Sequence, residues 1–177
     1  IVAIENQFGL KYFNGCREDH LGTPFAGLEG YSATDQAVRT FGEQELQAML
    51  HRYFPALQKY YPYPDYKMPE CVLAHEFVAS PRSGELIAQF RSRDYAGPKN
   101  ELWDEALAVR ALAKNSQLSF FADSFLFVAG MSDLRRASLP GLGVLYSSGR
   151  VGKFTVESRI VGESGMPEKV VKRVRRG

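Results

Sequence analysis

Phe125-Leu-Phe-Val-Ala129 carries an apolar side chain at every position, so neither of its faces suits water. A segment of this kind reads as a strand in the middle of a sheet. It closes the longer run Leu118–Ala129, the strongest strand signal in the chain. The fold is then built around a sheet.

The other elements follow from periodicity and breakers. Ile1–Ile4 and Phe8–Phe13 read as strand material. Asn14-Gly15, Gly22, Pro24, Gly27 and Gly30 make residues 14–31 turn-rich. From about Thr34 to Phe54, apolar residues recur at three- and four-residue steps and predict helix, with Gly42 a possible division and Pro55 beyond its end. Cys71–Ala79 and Glu85–Arg91 read as a hairpin turning at Pro81 and Gly84. Glu101–Lys114 reads as a second helix, with Asn100 as its cap and Leu102, Ala106, Val109 and Ala113 as its apolar stripe. Ser132–Ala137 reads as a short helical turn. Leu142–Tyr146 and Val151–Ile160 read as a last hairpin. Strands and helices do not alternate as regular βαβ units, so the expectation is a single α+β domain, mainly antiparallel, with two main helical segments. That domain is expected over residues 1–166, with a basic C-terminal tail over 167–177.

Residues 59–69, Lys-Tyr-Tyr-Pro-Tyr-Pro-Asp-Tyr-Lys-Met-Pro, hold three prolines. Each removes a backbone donor, which argues against regular helix or central strand and for an extended loop. Tyr61, Tyr63 and Tyr66, with Tyr60, alternate with these prolines between Lys59 and Lys67. Such a loop offers rings for base stacking, for a protein interface, or for simple packing over the sheet.

Composition sets the remaining bounds. The 177 residues suit one domain, and 45% hydrophobic with 24% charged residues are ordinary globular values. Net charge is +2, unevenly placed. Residues 168–177 hold five Lys/Arg against one Glu, which leaves 17 Lys/Arg against 19 Asp/Glu elsewhere. The body is mildly acidic and the end basic, unlike a uniformly basic nucleic-acid binder. Two cysteines and three histidines show no metal spacing and no disulfide framework. With no bilayer-length apolar run and no signal-peptide pattern at the start, the expectation is a cytoplasmic chain without membrane contact, metal or cofactor.

One cluster stands out: Gly141-Leu-Gly143, then Gly149-Arg-Val-Gly152-Lys-Phe, followed by the cations Lys169, Lys172, Arg173, Arg175 and Arg176. Glycines of this kind either present backbone amides to a phosphate or turn a tight, bulged hairpin. No Gly-Lys-Ser/Thr ending is present, and the cluster does not lie between a strand and a helix, so neither nucleotide fingerprint applies. The run resembles the C-terminal glycine-rich loop of the RAMP proteins of CRISPR effector complexes. Phe125–Gly130 and Ser132–Ala137 are similar to the closing part of their ferredoxin-like fold, and the resemblance covers roughly residues 124–160. Gly149-Arg-Val-Gly152 has one residue more than the family's second Gly-x-Gly. The resemblance implies RNA binding, with Arg150 and Lys153 near backbone phosphates.

No nucleophile, base and oxyanion donor share a recognisable spacing. His75 falls among Cys71, Leu73 and Phe77 as a core or boundary histidine, His51 lies on a helix and His20 in a loop four residues from Cys16. A cleft placing one of these beside a carboxylate with a perturbed pKa would favour catalysis. Gly30-Tyr-Ser-Ala-Thr34 and Ala37–Phe41 are similar to the segment where ADP-ribosyltransferases set a Ser-Thr motif beside NAD. The first-strand arginine or histidine of that family is absent, and its glutamate would have to be Glu163 or Glu168. Ser32 or Thr34 as a helix cap explains the same residues. The sequence reading is a non-catalytic nucleic-acid-binding subunit of a larger complex, RNA ahead of DNA. The alternatives are an NAD-using transferase and a protein–protein interaction module.

Overall fold

The computed structural model describes residues 1–32, 38–134, 138–147 and 154–174. Among the described residues, seven strands form one antiparallel sheet in the order β1-β4-β2-β3-β5-β6-β7. They are β1 (Val2–Glu5), β2 (Ala56–Tyr63), β3 (Cys71–Ala74), β4 (Ser124–Gly130), β5 (Gly143–Tyr146), β6 (Val156–Glu163) and β7 (Met166–Val174). The helices among the described residues are α1 (Leu10–Phe13), α2 (Glu43–His51), α3 (His75–Val78), α4 (Gly84–Ile87), α5 (Glu105–Lys114) and α6 (Leu118–Phe121). The chain is a single-domain α+β protein, as its element order predicts. No helix among the described residues is long and apolar enough to cross a membrane.

Strand alternation decides which side chains meet. Phe125 and Phe127 of β4, Tyr61 and Tyr63 of β2, Cys71 and Leu73 of β3 and Ile160 of β6 point to one face. There they form the main core with Leu46, Phe77, Val78, Ile87, Val109, Ala113 and Leu118 from the helices. On the opposite face Tyr60, Val72 and Ala74 make a smaller cluster with Leu126, Val128, Leu139 and Tyr146. The apolar run of β4 is thus used on both sides, between β1 and β2.

Several sequence expectations are corrected. Residues 59–69 are not wholly loop: β2 lies inside the sheet and includes Pro62. Pairing with β4 ends at Tyr60, while pairing with β3 continues through Tyr63. Pro62 is therefore paired on one side only, where a missing donor is tolerated. Residues 10–13 are helix rather than strand. Their first turn is anchored by the Asp123 carboxylate, whose Oδ1 accepts from Lys11 N at 2.9 Å. The long helix from Thr34 shrinks to α2, with Gly42 as its N-cap, and residues 33–37 lie outside the described residues.

The hairpin expected over 71–91 is instead β3 followed by α3 and α4 with a 3-10 turn between them. Its apolar residues Phe77, Val78 and Ile87 fill the core under the sheet. Gly84 allows α4 to press on α5, where an added Cβ would stand 2.7 Å from that of Ala113. The second helix starts later than expected, because Asn14 Oδ1 accepts from Leu102 N and Trp103 N and holds that stretch out of the helix. Asp104, not Asn100, is the cap, accepting from Leu107 N at 3.1 Å. Val109 and Ala113 are buried, but Leu102 is exposed. Arg110 reaches Glu85 at 3.1 Å.

The first part of the predicted strand Leu118–Ala129 is α6, tied down by Asn6 Nδ2, which donates to Phe120 O and Ala122 O. Residues 166–174, read as part of a tail from 167 onward, form β7 and pair with β6 along its length. Valines at 170, 171 and 174 give that basic stretch enough β character to form the sheet edge. Of the expected turn Ser132–Ala137, residues 135–137 lie outside the described residues.

Candidate functional site

The β6–β7 ribbon places the described cations. Glu157 pairs with Arg173, Ser158 with Lys172, Arg159 with Val171 and Val161 with Lys169. Alternation puts Lys169, Arg173 and Arg159 on one face and Lys172 on the other. Arg159 Nε is bound to Glu157 Oε1, while Lys169, Lys172 and Arg173 are exposed and form no ion pair among the described residues. Lys172 borders a shallow depression with Ser158, Val156 and Leu145.

The two ends of the ribbon differ. At its turn, Gly165 has φ +76°, and a Cβ added there would stand 2.4 Å from Glu76 O, so the turn is pressed against α3. At the other end Val156 pairs with Val174. The segments bearing Arg150 and Lys153 and bearing Arg175 and Arg176 therefore attach to the sheet at the same end. These four residues, with Gly149 and Gly152, lie outside the described residues.

Gly143 begins β5 and Gly141 lies two residues before it, and both sit in close backbone contacts. Gly141 has φ +90°, and a Cβ there would meet Ile160 O at 2.5 Å. The next amide, Leu142 N, donates to Ile160 O at 2.8 Å. A Cβ on Gly143 would stand 2.5 Å from Leu73 Cδ2. Both glycines admit close approach of β5 to its neighbours.

The tyrosines are corrected. Tyr61 is fully buried and Tyr63 is 6% exposed. Their rings belong to the main core and offer no face to a base. Tyr66 is half-buried and lies 5.4 Å from Lys67 Nζ.

Tyr61 instead organises a polar group that no sequence spacing announces. Its hydroxyl lies 3.0 Å from His75 Nδ1 and 3.4 Å from Glu43 Oε2, and Lys59 Nζ is bound to Glu43 Oε1. The His75 and Tyr61 rings stack with centroids 5.9 Å apart. Burial, and then the charge of Lys59, hold His75 below its usual pKa. His75 also lines an open depression with Gln58, Lys59, Tyr60 and Ser138. Of the expected core or boundary positions, His75 takes the boundary one, with its residue exposed and Nδ1 held by the Tyr61 hydroxyl.

A second polar group is deeper. Glu5, 3% exposed, takes Lys11 Nζ at 2.7 Å and Lys67 Nζ at 2.9 Å on Oε1, and the Tyr12 hydroxyl at 2.8 Å on Oε2. Asp19 binds Lys67 and lies 3.8 Å from Lys11 Nζ. Burial alone would raise the pKa of Glu5. The charge of Lys11 and the hydrogen bonds from Lys11, Lys67 and Tyr12 outweigh it and bring the value down to about 2. Two carboxylates and two ammoniums balance, so this group ties β1 and α1 to the 14–24 and 64–69 loops. It leaves no spare charge for a ligand.

The thiols are unactivated. Cys16 and Cys71 are free and buried, and burial pushes each up to about 12. His20 and His51 are exposed, and Cys16 therefore makes no nucleophile with His20. Ser32 is exposed, and Thr34 lies outside the described residues. Glu163 ends β6 and Glu168 lies on β7. No group of three or more His, Cys, Asp or Glu among the described residues is placed to hold a metal ion. The chain matches no family model, no curated protein and no solved structure.

Proposed function

We propose that the chain is a nucleic-acid-binding module, with RNA as its ligand, and that the open end of the β6–β7 ribbon is the contact surface. The pairing of Val156 with Val174 carries this reading. It brings the attachment points of both basic segments together, beside Arg173 and Lys172. Glu163 and Glu168 lie toward the turn, and Glu157, near the open end, is held by Arg159. Lysines and arginines that neutralise phosphates release condensed counterions, and a weakly charged body adds little nonspecific attraction. With Tyr61 and Tyr63 buried, affinity rests on phosphate contacts rather than on stacking. The resemblance to the RAMP loop supports the same ligand.

The test is a salt-series titration of the intact chain with fluorescent single-stranded RNA, and with a duplex of the same sequence. Binding that weakens steeply with salt is expected. Absence of binding at low salt overturns the reading. Cutting the chain at Glu168 is unsuitable, because it removes most of β7 and not a free tail.

A catalytic reading is favoured by one observation, the fixing of His75 Nδ1 by Tyr61. That geometry leaves Nε2 as the ring's reactive nitrogen, and the depressed pKa keeps the ring neutral near pH 7. A base so placed suits activation of a ribose hydroxyl. Cleavage of the bound RNA by the intact chain, lost in His75→Ala with binding retained, would establish it. Intact RNA after prolonged incubation would dismiss it.

A further inference from the structure

A cavity of about 20 Å³ lies beneath the sheet, between α1, α5 and the start of β4. Its walls are mostly apolar, with Leu10, Phe90 and Phe121 among them, but Tyr63, Glu105 and Asp123 also line it. Tyr63 Oη is buried and has no hydrogen-bond partner among the described residues. A buried hydroxyl left unpaired is destabilising. Such a group calls for a partner within reach.

The carboxylates define what that partner must be. Glu105 is committed: Oε1 accepts from Ser92 N at 2.8 Å, and Oε2 accepts from Ser92 Oγ at 2.7 Å and from Lys99 Nζ. Asp123 is half committed: Oδ1 accepts from Lys11 N, and Oδ2 takes no hydrogen bond from the described residues. Asp123 is close enough to Tyr63 for its charge to oppose ionisation of the phenol, after the larger effect of burial. Buried phenol donor and carboxylate acceptor thus border one cavity without bonding each other directly. A molecule filling it must hydrogen-bond to both, and a water can accept or donate at either. A space of roughly 10–15 Å³ suffices for one water when two to four polar groups surround it.

We propose that this cavity is a binding site for a single ordered water, which hydrogen-bonds both to Tyr63 Oη and to Asp123 Oδ2. The water joins β2 to the junction of α6 and β4, and through Asp123 to the first turn of α1. Its size and its polar ends exclude larger ligands.

The test compares the intact chain with Tyr63→Phe, which keeps the ring and removes the hydroxyl. Long-lived internal waters are counted by oxygen-17 magnetic relaxation dispersion. The expected result is one fewer long-lived water per molecule in the variant. Equal counts overturn the proposal. Should Tyr63→Phe fold poorly, a crystal structure of the unaltered chain at a resolution that shows waters decides. Density for one water within hydrogen-bond distance of both Tyr63 Oη and Asp123 Oδ2 upholds the site, and its absence in a well-defined map rejects it.

Discussion

Lys67 Nζ lies 2.9 Å from Glu5 Oε1, the oxygen that Lys11 Nζ also reaches. Lys67 and Glu5 are 62 positions apart, so the bond fixes the loop after β2 to the edge strand β1. Lys11 is 1% exposed, and its other acid, Asp19, is 3.8 Å away. Glu5→Gln would leave a buried ammonium short of its main partner. The expected loss is about 3–5 kcal/mol, read from urea denaturation midpoints. Lys67→Ala should lose far less, since its side chain is one-third exposed and solvent screens it. The pH sign follows from the depressed Glu5 value. Its contribution is present above about 4.5, the ordinary value, and is lost as pH falls toward about 2.

Asp123 should act in the opposite direction. Burial is the largest influence on its carboxyl and pushes it up to about 7, against the charge of Lys11. Glu105 and Lys99 also face it, the first raising and the second lowering its value. The native state therefore keeps a proton that the unfolded chain releases above about 3.8. Stability from this group is full below that value and is lost as pH rises toward 7. Asp123→Asn keeps an oxygen for Lys11 N and cannot ionise. Its stability relative to the parent should climb between about pH 4 and pH 7, measured by thermal melts across that range. A constant difference at every pH would contradict the assignment.

Gly165 and Gly30 separate strain from collision. Both have positive φ, +76° and +90°. A Cβ on Gly30 would meet nothing within 4 Å, whereas one on Gly165 would meet the backbone oxygen of Glu76 at 2.4 Å. Gly30→Ala is expected to cost about 1 kcal/mol from backbone conformation. Gly165→Ala should cost clearly more and loosen the ribbon turn from α3, seen as faster amide exchange at Glu163–Met166.

The fold class was legible because β4 is apolar throughout and because helices and strands do not alternate regularly. Element types failed where tertiary contacts overrode local pattern. Leu10–Phe13 reads as strand, yet Asp123 supplies the carboxylate that starts a helix there. Pro62 argues against a central strand, yet the β4 pairing stops two residues before it. The Glu5–Lys11–Lys67–Asp19 group had no sequence signal, since its members come from separate segments and follow no spacing rule. The exposed position of His75 was hidden in the same way: three apolar neighbours suggested a strand face, but the chain turns into α3 at that residue. Lys169, Lys172 and Arg173 were visible as charge, and their division between two faces followed only from the register with β6.

The register also predicts how the ribbon should titrate. Lys169 and Arg173 share a face, and Lys172 looks the other way. All three are exposed, so alanine at these positions should leave the melting temperature nearly unchanged. If RNA lies along the face of Arg159, the double variant Lys169→Ala, Arg173→Ala removes two phosphate contacts. The slope of log affinity against log salt should then shrink by about 1.4, at about 0.7 per contact on a single strand. Lys172→Ala should leave that slope close to the parent value. The reverse result would place the RNA on the face that carries Ser158 and Lys172. Unchanged slopes in both variants would remove the ribbon from the interface.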